Sequence, residues 1–275
     1  MPTVLARTAD SCRSYPQPAK HVTWLIAFPG VTGATLTPME LEFQRVGFAP
    51  DYVDYQDGWD LQRRVHTEVS AGTRPGTVLM LEHLAVYTAG RRTEAHERPF
   101  DGTPVINVDR GGKLTWHGPG QLVGYPILRL PDPVLVVDYV AALEDALLTV
   151  LADYGLHGER VEGRSGVWIR GDGTRQDRKI AAVGIRIDHG VTMHGFALNC
   201  SNDLNPYAQI IACGITDAGT TSISEELGAP VSPADIADRV EIELLRTLGA
   251  LLNKPGAAPS STADTGAVRN EGALK

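Results

Sequence analysis

The chain reads as an α/β (α+β) protein with one mixed β-sheet flanked by helices, and three observations carry that reading. Short apolar runs bounded by glycine or charged residues dominate the middle of the chain. Helical periodicity appears around those runs and once between them. The 275 residues are 43% hydrophobic, enough to bury one sizeable core.

Residues 1 to 38 lack clear periodicity and read as a poorly ordered N-terminal extension; residues 39 to 253 read as one folded domain. "DGWDLQRRVHTEVSAG" predicts a helix: Leu61, Val65 and Val69 recur every fourth residue, and Gly72 can stop it. "TVLMLEHLAVYTAG" predicts one buried strand turning at Gly90, "VINV" a short strand, and "QLVGYPILRL" another. "VVDYVAALEDALLTVLADYG" predicts the clearest helix. Val136, Val140, Leu143, Leu147, Val150 and Tyr154 form one apolar face, and Gly155 offers a left-handed stop. Three strands follow, "SGVWIR", "KIAAVGIRI" and "VTMHGFALNC", the last two as a hairpin turning at Gly190. A final helix opens at Ser232, with Pro233 in its first position, and runs to Leu252. Residues 254 to 275 are small and polar and read as a disordered tail.

Composition narrows the function classes. Against 25 basic residues stand 33 acidic ones, a net charge of −8, which argues against a nucleic-acid partner. No run approaches the roughly 20 apolar residues of a membrane helix. Three cysteines, Cys12, Cys200 and Cys213, make no disulfide framework, so the expected compartment is reducing and cytoplasmic.

The residues offer few nucleophiles. Cys200 ends an apolar strand pattern and reads as a small buried hydrophobe. Cys213, in "IIACGITDAGTTS", sits where an apolar run gives way to glycine and a polar loop; it is either a buried loop cysteine or an approachable thiol. A thiol of pKa near 8.5 needs a neighbouring cation or histidine to become nucleophilic at neutral pH. Lys179, at the mouth of a strand, and His117, inside a glycine-rich loop, are the candidates; Lys179 read alone is as well a solvated charge. That loop, "RGGKLTWHGPGQLVGY", matches neither the Walker nor the dinucleotide-binding pattern. Its glycines allow close backbone approach by a ligand chain, or simply a tight turn. His189, His194 and Cys200 lack zinc spacing, so no metal is expected.

Together these segments resemble the lipoyl(octanoyl) transferases. Arg110, Gly111, Gly112, Thr115, Trp116, His117, Gly120, Gln121 and Tyr125 fall on that family's signature. "RKIAAVGIRI" resembles its lysine strand, placing Lys179 on the catalytic lysine. "HGFALNCSNDL" resembles its Gly-x-Ala-x-Asn segment at Gly195, Ala197 and Asn199, and "IIACGI" resembles its Pro-Cys-Gly-Ile element, placing Cys213 on the acyl-carrying cysteine. Ala212 stands where proline is frequent, which bears on loop stiffness. The resemblance spans roughly residues 40 to 250.

The resemblance implies a fold like that of biotin and lipoate protein ligases. It implies transfer of an octanoyl group from acyl carrier protein to a lysine of lipoyl domains, through a thioester on Cys213 assisted by Lys179. The acceptors would be E2 subunits of 2-oxoacid dehydrogenases and the glycine cleavage H protein, and no cofactor is needed. The implied substrate contacts are Arg110, Gly111, Gly112, Lys113, Leu114, Thr115, Trp116 and His117, then Ala182, Val183 and Gly184, then Gly195, Phe196 and Ala197. His117 would orient groups near the carbonyl. Arg91, Arg92, Arg110, Lys113, Arg164 and Arg178 are candidates for docking acidic partners. A monomer is expected, since no second apolar face is evident. Two rival readings are an ATP-dependent lipoate or biotin ligase and a catalytically silent acyl-carrier-binding protein on the same scaffold.

Overall fold

The computed structural model describes residues 22–25, 40–100, 103–132, 134–210 and 217–252. Strand β1 (Val22–Leu25) runs antiparallel to β2 (Glu40–Gly47), and β2 runs parallel to β3 (Gly76–Leu81). Helix α1 (Tyr55–Ser70) connects β2 to β3. Strands β4 (Val86–Ala89), β5 (Val105–Asn107) and β6 (Leu114–His117) form a small separate sheet in the order β5-β4-β6. Then come β7 (Gln121–Ile127), α2 (Val136–Asp153), β8 (Gly158–Val161), β9 (Arg164–Ile169), β10 (Arg178–Asp188) and β11 (Val191–Asn199). Strand β12 (Gly219–Thr220), α3 (Ile223–Leu227) and α4 (Pro233–Leu252) complete the described chain. The main sheet has the order β1-β2-β3-β7-β11-β10-β9-β8, with β12 added parallel to the start of β10.

Local chemistry explains the helices. Asp54 caps α1, accepting from Gln56 N at 2.8 Å and Asp57 N at 3.4 Å. Its buried stripe, Gly58, Gln62, Val65 and Val69, lies on one face of the sheet. In α2 the buried face is Tyr139, Leu143, Leu147, Val150 and Leu151, whereas Val136 is 52% exposed. The expected apolar face thus begins one turn later than the periodicity suggests. Ser232 and Asp235 cap α4 reciprocally: Ser232 N donates to Asp235 Oδ2 at 2.9 Å, and Asp235 N donates to Ser232 Oγ at 3.4 Å. Helices α2 and α4 pack together over the other face of the sheet and bury Phe43, Ile180, Phe196 and Leu198 with them.

One expectation needs correction. The run 77–90 is two strands in two sheets, because Glu82 and His83 interrupt it. Both are buried, and their polar groups turn inward to Gly120, Ala49, Val53 and Tyr125. Residues 22–25 of the unpatterned N-terminal stretch form a strand on the edge of the main sheet. The hairpin at Gly190 holds, but both His189 (φ 49°) and Gly190 (φ 76°) are left-handed, the primed turn that suits twisted antiparallel strands. The tail 254–275 lies outside the described residues.

Candidate active site

A cavity of about 320 Å³ lies between the glycine-rich loop and the β10–β11 hairpin. Arg110, Gly112, Lys113, Thr115 and His117 of the loop line it, opposite Ala182, Val183 and Gly184 of β10 and Gly195, Phe196 and Ala197 of β11. The register explains the convergence: Ala182 faces Ala197 and Gly184 faces Gly195 across the antiparallel pair. Leu114 and Trp116 alternate away from the cavity, as strand geometry requires, and pack with Tyr87, Ala89 and Ile210. Gly111 does not line the cavity; its N–H donates to Ile185 O at 2.9 Å and ties the loop to the end of β10.

The arginine of the loop is a clamp. Arg110 is 8% exposed, and its guanidinium donates to Gly111 O (3.0 Å), Lys113 O (2.8 Å), Thr88 O (2.9 Å) and Thr88 Oγ1 (3.0 Å). The far end of the loop is fixed by a buried carboxylate: Glu82 Oε2 accepts from Gly120 N at 2.7 Å. Gly120 is left-handed (φ 84°), and a Cβ there would sit 2.6 Å from Asn202 N, so only glycine fits. Gln121 Nε2 then donates to Asn199 Oδ1 and to Tyr207 Oη, each at 2.9 Å.

Neutral polar rings make the floor. His117 Nδ1 lies 2.7 Å from Gln121 Oε1. Because the Gln121 nitrogen already faces acceptors, Nδ1 carries the proton and Nε2 keeps its lone pair. Burial pushes the His117 pKa down to about 3, helped by the nearby His83 and Arg110. His83 donates from Nδ1 to Val53 O at 3.0 Å and accepts the Tyr125 hydroxyl at 2.7 Å on Nε2; burial lowers its pKa to about 4. Tyr55 stacks on His117 at 5.9 Å, and burial raises its pKa to about 12. His194 should follow Phe196 and Leu198 onto the α2–α4 face, but its φ of 58° turns it onto the α1 face beside Trp59 and Tyr125. There it donates from Nε2 to Asp109 Oδ1 at 2.7 Å, and Asp109 also pairs with Arg186.

Lys179 stands at the mouth. Its ammonium donates to Ser165 O at 3.0 Å and lies 4.7 Å over the Trp168 ring. The β12 segment closes on it, with Thr221 N donating to Lys179 O at 3.0 Å. A second cavity of about 280 Å³ shares Lys179, Thr115, Ala182 and Ala197 with the first, and Ile210, Ala218, Gly219 and Thr220 also line it.

Residues 54–245 match the model of the lipoyl protein ligase A/B catalytic domain. The octanoyltransferase of Pseudarthrobacter chlorophenolicus is 60% identical over 220 residues, covering 80% of this chain and 99% of that protein. The chain belongs to the octanoyltransferase family. The octanoyltransferase of Mycolicibacterium gilvum is 58% identical over 196 residues, covering 71% of this chain and 82% of the relative. Among solved structures, an archaeal bi-partite lipoate protein ligase with its E2 lipoyl domain, from Thermoplasma acidophilum, superposes with a TM-score of 0.54 at 14% identity. That match covers 69% of this chain and 80% of the other. The fold is therefore that of the lipoate protein ligases.

Within this octanoyltransferase-family chain, Cys213 lies outside the described residues, but its flanks Ile210 and Ala218 line the cavity that shares Lys179. Cys200 is fully buried, and burial drives its thiol pKa far upward, so it stays a neutral thiol. His189 is exposed and His194 buried, and among the described residues no cluster of His, Cys, Asp or Glu could hold a metal ion. No helix of the described residues is long and apolar enough to cross a membrane. Tyr55, His83 and Asp109 escaped the sequence reading. The polar pair Glu82–His83 within an apolar run was the one signal pointing to the floor.

Proposed function

We propose that this protein carries octanoyl groups from acyl carrier protein to the target lysine of lipoyl domains through a thioester on Cys213. Membership of the octanoyltransferase family supports the reaction class. The observation that carries the dyad is Lys179: it lines both cavities, and Ile210 and Ala218, which flank Cys213 in the sequence, line one of them.

In the first half-reaction the Cys213 thiolate attacks the donor carbonyl. The new C–S bond forms as the phosphopantetheine C–S bond breaks, and the Lys179 ammonium protonates the departing thiolate. In the second, the acceptor amine attacks the acyl-cysteine, an amide forms, Cys213 leaves as thiolate, and the amine's surplus proton returns to Lys179. The donor arrives activated, so neither ATP nor a cofactor enters. The acyl chain descends between Thr115, Ala182, Gly184 and Ala197, where each buried methylene contributes about 0.8 kcal/mol. His117 orients groups near the carbonyl. The working unit is residues 39–253, a cytoplasmic monomer, and the acceptors are E2 and glycine cleavage H lipoyl domains.

Intact-mass measurement after incubation with octanoyl-acyl carrier protein tests this. One octanoyl adduct is expected in the parent and in Cys200→Ala, and none in Cys213→Ala. An adduct surviving Cys213→Ala removes that cysteine as nucleophile. A requirement for ATP with free octanoate would make the protein a ligase.

A further inference from the structure

The lining of the larger cavity includes five basic residues, Arg92, Arg110, Lys113, Arg164 and Lys179, and no aspartate or glutamate among the described residues. The chain as a whole is acidic, with a net charge of −8, so this concentration of positive charge is local. Burial separates a floor from a rim: Tyr55, His117, Tyr125 and His194 are buried, whereas Lys113, Arg164 and Lys179 are half-exposed and Arg92 is exposed.

The six cations expected to dock acidic partners are not equivalent. Arg110 is consumed by the carbonyls of Gly111, Lys113 and Thr88. Lys113 pairs with Glu97 at 2.5 Å and Glu94 at 3.3 Å. Arg164 pairs with Asp217 at 2.6 Å, and Arg178 grips Glu226 with two bonds of 2.5 Å. Only Arg91 and Arg92 have no side-chain partner among the described residues, and only Arg92 of these two lines the cavity. An uncommitted guanidinium on a cationic rim is the group a single anion would engage, since a new ion pair there breaks no existing one.

Position identifies the anion. Arg92 N donates to Gly112 O at 3.0 Å, and Gly111 N donates to Ile185 O at 2.9 Å, so Arg92 sits by the Ile185 end of β10. Lys179 is six residues earlier on that strand, about 20 Å away at 3.3 Å per residue. An extended phosphopantetheine arm spans roughly 17 Å from thioester sulfur to phosphorus, from about thirteen bonds near 1.5 Å in zigzag. We infer that Arg92 binds the phosphodiester of the donor's phosphopantetheine arm, with the arm lying along the rim and its thioester beside Lys179. The inference rests on the proposed acyl transfer and names the part of the donor that this end of the cavity reads.

The test compares second-order rates of acyl-enzyme formation, by intact mass, for octanoyl-pantetheine and octanoyl-4′-phosphopantetheine, which differ only in the phosphate. The parent is expected to favour the phosphorylated donor about tenfold, the worth of one charge-assisted hydrogen bond. Arg92→Gln should bring that ratio below about twofold, and Arg92→Lys should keep most of it. Because each ratio is taken within one variant, a general loss of folded protein cancels. Equal rates for both donors in the parent, or an undiminished ratio in Arg92→Gln, would overturn the inference. So would a loss in Arg92→Gln confined to transfer from the acylated enzyme to a lipoyl domain, since the arginine would then read the acceptor. If neither donor acylates the parent while octanoyl-acyl carrier protein does, the arm is not read by itself and the inference is overturned; if the carrier-bound donor fails as well, the transfer reaction itself is overturned.

Discussion

Gln121 Nε2 donates to Asn199 Oδ1 across 2.9 Å, joining the glycine-rich loop to the end of β11. Asn199 passes the connection on, its Nδ2 donating to Thr221 O at 2.9 Å, and His117 hangs from the other end of Gln121. One amide relay thus sets the histidine of the floor and the backbone that follows the Cys213 segment.

Asn199→Ala should expose the weight of this relay. It takes one acceptor from Gln121 Nε2, which keeps Tyr207 Oη, and the Asn199 donor from Thr221 O, at a cost of about 1–3 kcal/mol. Urea unfolding measures it; a midpoint matching the parent would show the amides repartnering freely.

The two cross-strand glycines should behave differently. A Cβ on Gly195 would overlap the Gly124 carbonyl oxygen, whereas one on Gly184 meets Arg110 Cδ at 3.2 Å and Gly111 O at 3.4 Å, a tight fit and an ordinary contact. Gly195→Ala is expected to destabilise by about 2 kcal/mol or more through backbone displacement. Gly184→Ala should fold with a near-parental melting temperature and a narrower acyl site. Equal melting temperatures for the two variants would contradict the packing described.

Acid should weaken the fold through the floor histidines. His83 and His117 have folded pKa values lowered to about 4 and about 3, chiefly by burial, against about 6.5 unfolded. Below pH 6.5 the unfolded chain binds protons that the folded chain refuses, so stability falls as pH falls, by about 1.4 kcal/mol per pH unit and group. Thermal melts from pH 7 to pH 4.5 should show a steep decline, shallower in His83→Gln. A flat profile would mean that these rings titrate normally when folded.

Lys179→Ala should cut octanoyl transfer by about 10² to 10⁴, the usual contribution of a positioned proton donor. The side chain is half-exposed and, among the described residues, makes one hydrogen bond, to Ser165 O, so the circular-dichroism melt should shift little. Near-parental turnover would remove this lysine from the mechanism.

The division between sequence and structure follows the range of the forces involved. Helix α4 was legible because Ser232, Pro233 and Asp235 act within one turn of each other. The β10–β11 hairpin was legible because alternation and the Gly190 turn are local. The place of His194 was not legible for the same reason: alternation puts it on one face, and a single left-handed φ sends it to the other, into contact with Asp109. Tyr55 and His83 carried no pattern of their own; they matter because α1 and β3 bring them against Tyr125 and His117.

By itself, the sequence determined the family, the mixed sheet with its helices, and the residue types available for chemistry, since these depend on pattern and on motif spacing along the chain. Tertiary structure alone decided which of those residues face one cavity and which cations are already spent. Ion pairs such as Arg164–Asp217 and Arg178–Glu226 join residues about fifty positions apart, and no local rule reports that distance. Among the described residues, Arg92 stands free on the rim because the fold gives Lys113 to Glu94 and Glu97, Arg164 to Asp217 and Lys179 to Ser165 O.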